Sequence, residues 1–354
     1  ERGSPIVDGT KVTFLFEGDV ERLLLHHFVF GLPTAQPFRR IKGSDVWWFV
    51  LDLPRESRIE YKLVVVEGGR RTMIRDPLNP NLAFDPFGAN SVGHGEGYAT
   101  PPWTLPDPEA RSGELAQHSV KSEAYGGERS VVVYLPPRMR ATRRYPLLVV
   151  FDGEDYLRYA RMKTVLDNLI HAHEIAPLVV AFTQSSDRRR EYAAHEATPR
   201  FVFDELVPFV CSRYPIRQDE RQHGLMGASL GAVAALHAAW SRQGSAGRLL
   251  LQSGSFAFTD IGDDVRSPVL EPVVDFVNPF RADPGRPAER IFVTCGVYER
   301  LIYENRSLAP LLQRTEMDIR YVEARDGHNW ENWRDRLREA LAWLFPGPLG
   351  LVYE

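Results

Sequence analysis

Polar and apolar positions change rhythm roughly a hundred residues into the chain. Before that point the apolar residues come in short runs: Val12-Thr13-Phe14-Leu15-Phe16, Leu23-Leu24-Leu25, Val46-Trp47-Trp48-Phe49-Val50 and Ile59-Glu60-Tyr61-Lys62-Leu63-Val64. Gly, Pro and charged residues part these runs, as in regularly spaced short strands. They predict an all-β sandwich over residues 1–100. Pro101-Pro102-Trp103-Thr104-Leu105-Pro106-Asp107-Pro108 then reads as a stiff linker, assigned to 101–118.

Strand-type and helical runs are both present from residue 119 to 354. Tyr145-Pro146-Leu147-Leu148-Val149-Val150-Phe151 is the most apolar strand, and Leu178–Phe182 and Ile291–Cys295 are two more. Met317–Ala324 alternates, with Ile319 and Tyr321 on one face and Arg320 and Val322 on the other. Leu230–Trp240 is a helical run of small residues suited to packing on a sheet. A second helix opens at Trp330, where Trp330, Trp333, Leu337, Leu341 and Leu344 recur every three or four positions. Thr198-Pro199 predicts another helix start, with Thr as N-cap, Pro at the first position and Phe203, Leu206 and Val210 on the apolar side.

Within this pattern Gly227-Ala228-Ser229-Leu230-Gly231 carries the chemistry. A serine hydroxyl is a poor nucleophile at neutral pH, so it must be lifted into reach of a base and of oxyanion donors. A sharp strand-to-helix turn with glycine two residues to either side achieves this. The base should follow the last strand, and His328 comes directly after the break Arg325-Asp326-Gly327. His26, His27, His94, His118, His171, His173, His195, His223 and His237 are less well placed. The acid should follow the preceding strand, and Glu299 stands three residues after Gly296. Glu304 and Asp326 remain rivals for that role. Oxyanion donors are expected at the backbone N–H groups of Leu230, after the nucleophile, and Gly153, after the early strand. Glu154 and Asp155 lack further ligands and read as a solvated loop, so no metal is expected.

The chain order serine, acid, histidine is that of an α/β-hydrolase, and the resemblance goes further. From Ser119 to Phe345 the chain resembles the esterase D family, and within it the enterochelin (ferric siderophore) esterases. The resemblance rests on Val131–Pro136, Phe151-Asp152-Gly153, the Ser229 pentapeptide, Gln252-Ser253-Gly254-Ser255-Phe256, Gly296 with Glu299, Asn305-Arg306, and Gly327-His328 with Trp330 and Trp333. Ala232 and Asp326 depart from it, standing where many relatives have glycine. Asp76–Pro80 with Asn90-Ser91 resembles the end of the immunoglobulin-like domain that precedes such esterases. The resemblance implies an α/β-hydrolase domain after an immunoglobulin-like domain. It also implies a serine carboxylesterase that cleaves a ferric catecholate siderophore and needs no cofactor. Related domains hydrolyse feruloyl and acetyl esters of carbohydrates, which is the alternative substrate class. A non-catalytic binding protein on this scaffold is the contrasting class. It is disfavoured because every expected triad position carries a competent side chain.

Composition narrows this little. A chain of 354 residues fits two domains, and a net charge of −4 gives no general pull toward nucleic acid or anionic membrane. No apolar run is long enough to span a bilayer, and Glu1-Arg2-Gly3-Ser4 is no signal sequence, so a cytoplasmic location is expected. Cys211 and Cys295 read as two buried thiols rather than a disulfide. Trp47, Trp48 and Trp103 are read as packing residues before a sugar or catechol platform. After the strand Leu178–Phe182, Ser185–Tyr192 carries Arg188, Arg189 and Arg190. Arg190 is the candidate to hold an anionic small-molecule ester, whereas Arg188 and Arg189 read as solvated.

Overall fold

The computed structural model describes residues 3–259 and 268–348, so the last six positions of the expected esterase domain lie outside it. The chain divides into two compact units. One takes the residues up to Thr100 together with Gly296–Arg300 and Glu323–Asn332; the other takes Pro101–Cys295, Leu301–Val322 and the residues from Trp333 onward.

Among its described residues the first unit carries β1 (Ile6–Asp8), β2 (Lys11–Glu17), β3 (Arg22–His27), β4 (Ala35–Pro37), β5 (Arg39–Arg40), β6 (Val46–Asp52), β7 (Arg58–Glu67), β8 (Arg70–Ile74), β9 (Leu82–Asp85) and β10 (Gly88–His94). They form antiparallel sheets in the orders β1-β2-β6-β5 and β4-β3-β7-β10-β9, with β8 on β7. Alternation along β2 turns Val12, Phe14 and Phe16 inward, where they meet Leu23 and Leu25 of β3 and Ile59, Tyr61 and Leu63 of β7. One core shared by two sheets makes this an all-β sandwich. Burial demands partners for polar groups, and at its centre Tyr61 donates to Asp76 at 2.6 Å and accepts from Asn79 at 2.9 Å.

The second unit carries a mixed sheet of β11 (Glu114–Ser122), β12 (Gly127–Leu135), β13 (Leu147–Val150), β14 (Val179–Thr183), β15 (His223–Ala228), β16 (Arg248–Gln252), β17 (Arg290–Gly296) and β18 (Asp318–Ala324). The order is β11-β12-β14-β13-β15-β16-β17-β18, and the pairings from β14 through β17 are parallel. Every residue of β13, β14 and β15 is buried, the condition of strands covered on both faces. Among the described residues the α-helices are α1 (Gly153–Arg158), α2 (Met162–His171), α3 (Arg188–Glu191), α4 (Ala197–Arg200), α5 (Val207–Arg213), α6 (Leu230–Ser241), α7 (Glu271–Ala282), α8 (Ile302–Leu312), α9 (Trp330–Asp335) and α10 (Leu337–Leu344). The fold is an α/β-hydrolase domain preceded by the all-β domain.

Several local expectations change. Residues 101–118 are only partly linker, because β11 begins at Glu114. Pro102–Thr104 forms one 3-10 turn whose Trp103 carbonyl accepts from Asn168 of α2 at 2.9 Å. The helix expected from Trp330 is two, α9 and α10, with Trp333, Leu337, Leu341 and Leu344 buried and Trp330 only half-buried. Thr198 lies inside α4 rather than capping it, and its hydroxyl donates to the Glu191 carbonyl at 2.6 Å. Cys211 is half-buried rather than buried, while Cys295 is fully buried, and both are free of disulfides.

Candidate active site

The nucleophile region belongs to the second unit. Buried β15 delivers the chain to Ser229, whose φ of 58° and ψ of −120° place a non-glycine residue in a sparsely populated conformation. The flanking glycine is obligatory, since a Cβ on Gly227 would lie 2.3 Å from the carbonyl of Gly231. The strained residue is then over-determined by its neighbours. Its N–H donates to the Gln252 carbonyl at 2.9 Å, its carbonyl accepts from the Ser255 N–H at 3.3 Å, and its Oγ lies 3.2 Å from Ser255 Oγ. The side chain of Gln252 is anchored in turn by Tyr156 and by the Trp333 carbonyl.

Leu230 is the first residue of α6 and Gly153 the first of α1, and opening amides have no acceptor within their own helix. A Cβ on Gly153 would lie 2.5 Å from that of Phe182, so only glycine lets this loop approach β14. Just before it, buried Asp152 accepts from Arg188 Nε at 2.8 and 3.0 Å. Arg188 also donates to the Ala228 carbonyl at 3.2 Å, tying the Gly153 loop to the nucleophile turn. Burial pulls the Arg188 guanidinium down, but Asp152 outweighs it and holds the group above its ordinary value. Burial pushes the Asp152 carboxyl up, with Arg188 pulling the other way. Arg188 is therefore no solvated arginine, whereas Arg189 and Arg190 are exposed. Sequence reasoning gave Asp152, Arg188 and Ser255 no role; Asp152 and Ser255 stand inside motifs that had already been singled out.

His328 and Glu299 belong to the first unit, on the segments that leave β18 and β17. The structure brings them together: His328 Nδ1 lies 2.5 Å from Glu299 Oε2. The other carboxylate oxygen, Oε1, accepts from the Gly296 N–H at 2.7 Å. A buried carboxylate held in this way suits a ring whose Nδ1 carries the proton. Of the rivals, Glu304 lies on α8, and Asp326 faces Arg58 Nη1 at 3.2 and 3.3 Å. Burial pushes Asp326 up to about 6, against the pull of Arg58. Among the described residues no cluster of three or more His, Cys, Asp or Glu could hold a metal ion. No helix among them is long and apolar enough to cross a membrane.

Residues 122–344 match the esterase family, described as "Putative esterase". The chain belongs to that family and is a carboxylic ester hydrolase. The iron(III) enterobactin esterase of Escherichia coli K12 is 25% identical over 335 residues, which is 86% of this chain and 81% of that protein. An uncharacterized Bacillus subtilis protein, YjcH, is 26% identical over 65% of this chain and 97% of its own length. The enterobactin esterase of Shigella flexneri, solved in the presence of enterobactin, superposes with a TM-score of 0.77 at 23% identity, covering 94% of this chain and 92% of that one. A ferulic acid esterase superposes with a TM-score of 0.58 at 16% identity and covers 67% of this chain.

Proposed function

We propose that this member of the esterase family hydrolyses the ester bonds of a catecholate siderophore, in its ferric form, by a serine mechanism. Ser229 Oγ attacks the ester carbonyl while His328 Nε2 takes its proton. Glu299 accepts a hydrogen bond from Nδ1–H and stabilises the imidazolium that forms. The N–H groups of Leu230 and Gly153 hold the tetrahedral oxyanion. His328 then protonates the departing alcohol, and water releases the acyl group from Ser229 by the same steps in reverse order.

The observation that carries the chemistry is the 2.5 Å contact between His328 Nδ1 and Glu299, together with the strained backbone of Ser229. The substrate class is supported by the extent of likeness. Enterobactin esterases match across both units, while a ferulic acid esterase matches 67% of the chain. Feruloyl and acetyl esters are therefore the second choice. Arg190, exposed on α3, is the candidate cation for an anionic ferric complex.

A hydrolysis panel tests this reading, with ferric and iron-free catecholate siderophores beside feruloyl and acetyl sugars. The ferric siderophore should give the largest kcat/KM, and Arg190→Ala should raise its KM several-fold while sparing a small neutral ester. Preference for a feruloyl or acetyl sugar would overturn the substrate assignment.

A further inference from the structure

We infer that Arg58, from the all-β sandwich, is a positioning residue for the catalytic base. Its guanidinium holds the loop that carries His328, which makes the sandwich part of the catalytic apparatus rather than only a neighbouring module. The inference rests on the serine mechanism proposed above.

Arg58 opens β7, and its side chain is almost wholly buried, with 1% exposed. Burying a guanidinium is costly unless its donors are matched; Nε has no partner among the described residues, so the acceptors of the two terminal nitrogens define its role. Nη1 donates to Asn329 Oδ1 at 2.9 Å and to both oxygens of Asp326 at 3.2 and 3.3 Å. Nη2 donates to Glu60 at 2.9 Å and pairs with Glu331. Burial pulls this guanidinium down, but Asp326, Glu60 and Glu331 outweigh it and hold it well above the ordinary arginine value. Asp326, Asn329 and Glu331 bracket His328 in sequence, so one cation grips its loop on both sides of the base. The main chain adds a further tie, because the Arg58 N–H donates to the Arg325 carbonyl at 2.9 Å.

Within the loop the grip passes on to the base. Asp326 Oδ1 accepts from the Gly327 N–H at 2.7 Å and from Asn329 Nδ2 at 2.8 Å, and Asn332 Nδ2 donates to the Gly327 carbonyl at 2.8 Å. The acid's segment is held by the same stretch of sandwich. Ser57, next to Arg58, bonds the Tyr298 hydroxyl at 2.7 Å, and the Tyr298 N–H donates to the Asp326 carbonyl at 3.1 Å. Two consecutive sandwich residues thus set the positions of both Glu299 and His328. Asp326 is the loop's charged handle.

The test uses the full-length protein, a small neutral 4-nitrophenyl ester and the proton NMR signal of the His328–Glu299 hydrogen bond. Arg58→Lys keeps the charge but loses the planar fork that serves Asp326 and Asn329 on one side and the glutamates on the other. It should lower kcat about 10-fold with KM within about twofold, because misplacing a catalytic group by a fraction of an ångström acts on the reacting geometry rather than on binding. The downfield signal should shift or broaden. Arg58→Met, if it folds, should lose more, about 100-fold. A folded Arg58→Lys protein with kcat within about twofold of wild type and an unchanged signal would overturn the inference. Ser229→Ala assayed alongside separates the two readings. If it stays active, the serine mechanism fails; if it is inactive while Arg58→Lys is unaffected, only the positioning role fails.

Discussion

Ser229 is held by backbone and close packing, whereas His328 is held by charge and hydrogen bonds. The serine sits on a turn flanked by two crowded glycines: Gly227 has no room for a Cβ, and Gly231 has Asp152 Oδ2 3.1 Å from where its own would lie. β15 behind it is fully buried and β16 is buried beyond its first residue, so the turn is anchored in close-packed material with little freedom to shift. The histidine segment contains Asp326, Asn329 and Glu331, all gripped by one arginine some 270 residues earlier in the chain. A nucleophile made by packing is fixed once the domain folds. A base made by an ion network depends on every member of that network and can be adjusted through any of them. Packing makes the Ser229 turn robust, and the ion network makes the His328 loop sensitive.

The largest expected effect breaks the robust half. Ser229→Ala should lower kcat on a 4-nitrophenyl ester by about a thousandfold or more while leaving the melting curve in place, because only the attacking oxygen is lost. A variant that keeps a tenth of wild-type activity would remove Ser229 from the mechanism.

Next comes the sensitive half. Glu299→Gln replaces the carboxylate 2.5 Å from His328 Nδ1, and should cost about a hundredfold or more in kcat by losing support for the imidazolium. Asp326→Asn should cost about tenfold or less, since Asp326 bonds Arg58 and the loop rather than the ring. The reverse ranking, read from steady-state kcat, would transfer the role of acid to Asp326.

How far the sequence carries the argument follows the same divide. The Ser229 turn is legible because its requirements are local: a glycine two residues away on each side, a strand before and small residues after. The most apolar strand and the largely buried α6 are legible because burial on nearly all sides leaves only one composition. Glu299 could be ranked above Glu304 and Asp326 only by counting residues after a strand, since nothing local marks which carboxylate turns toward the ring. Arg58 was invisible. A lone arginine in a β-type run looks like any solvent-facing strand residue until the distant loop is folded onto it. Arg188 was misread for the same reason: three consecutive arginines suggest a solvated run, and only the position of Asp152 turns one of them inward. Thr198 and Pro199 have the composition of a helix start, but the carbonyl of Glu191 claims the threonine hydroxyl.

A smaller effect, on stability, tests the packing argument directly. Gly227→Ala places a methyl group 2.3 Å from the Gly231 carbonyl, so the turn must open. Overpacking of this kind costs about 1–3 kcal/mol, readable as a lower denaturation midpoint with an unchanged denaturant slope. An unshifted midpoint would show that the turn has slack that close packing denies it.

An effect of similar size, confined to acid pH, sharpens the contrast between the two regions. His94, on β10 of the sandwich, is held down to about 4 by burial and then by Arg58, with Glu331 opposing. His237, on α6, is held down to about 4 by burial and then by His195. Both have an ordinary value of 6.5. The unfolded chain therefore takes up protons that the folded chain refuses. The stability these neutral histidines contribute is complete above pH 6.5 and is lost as the pH falls through 4. Replacing either by glutamine removes a proton-binding group from the unfolded state, so each variant should lose less stability on acidification than wild type, by about 1–3 kcal/mol. Hydrogen exchange at neutral and mildly acidic pH can assign each gain to its own unit. His237→Gln should protect amides of α6 and the central sheet, and His94→Gln those of β7 and β10. Because His94 also feels Arg58, adding Arg58→Lys should alter the acid response of β7 and β10 while leaving that of α6 unchanged. Identical acid responses in all these variants would mean that neither histidine is buried neutral, and would remove the electrostatic contrast between the two regions.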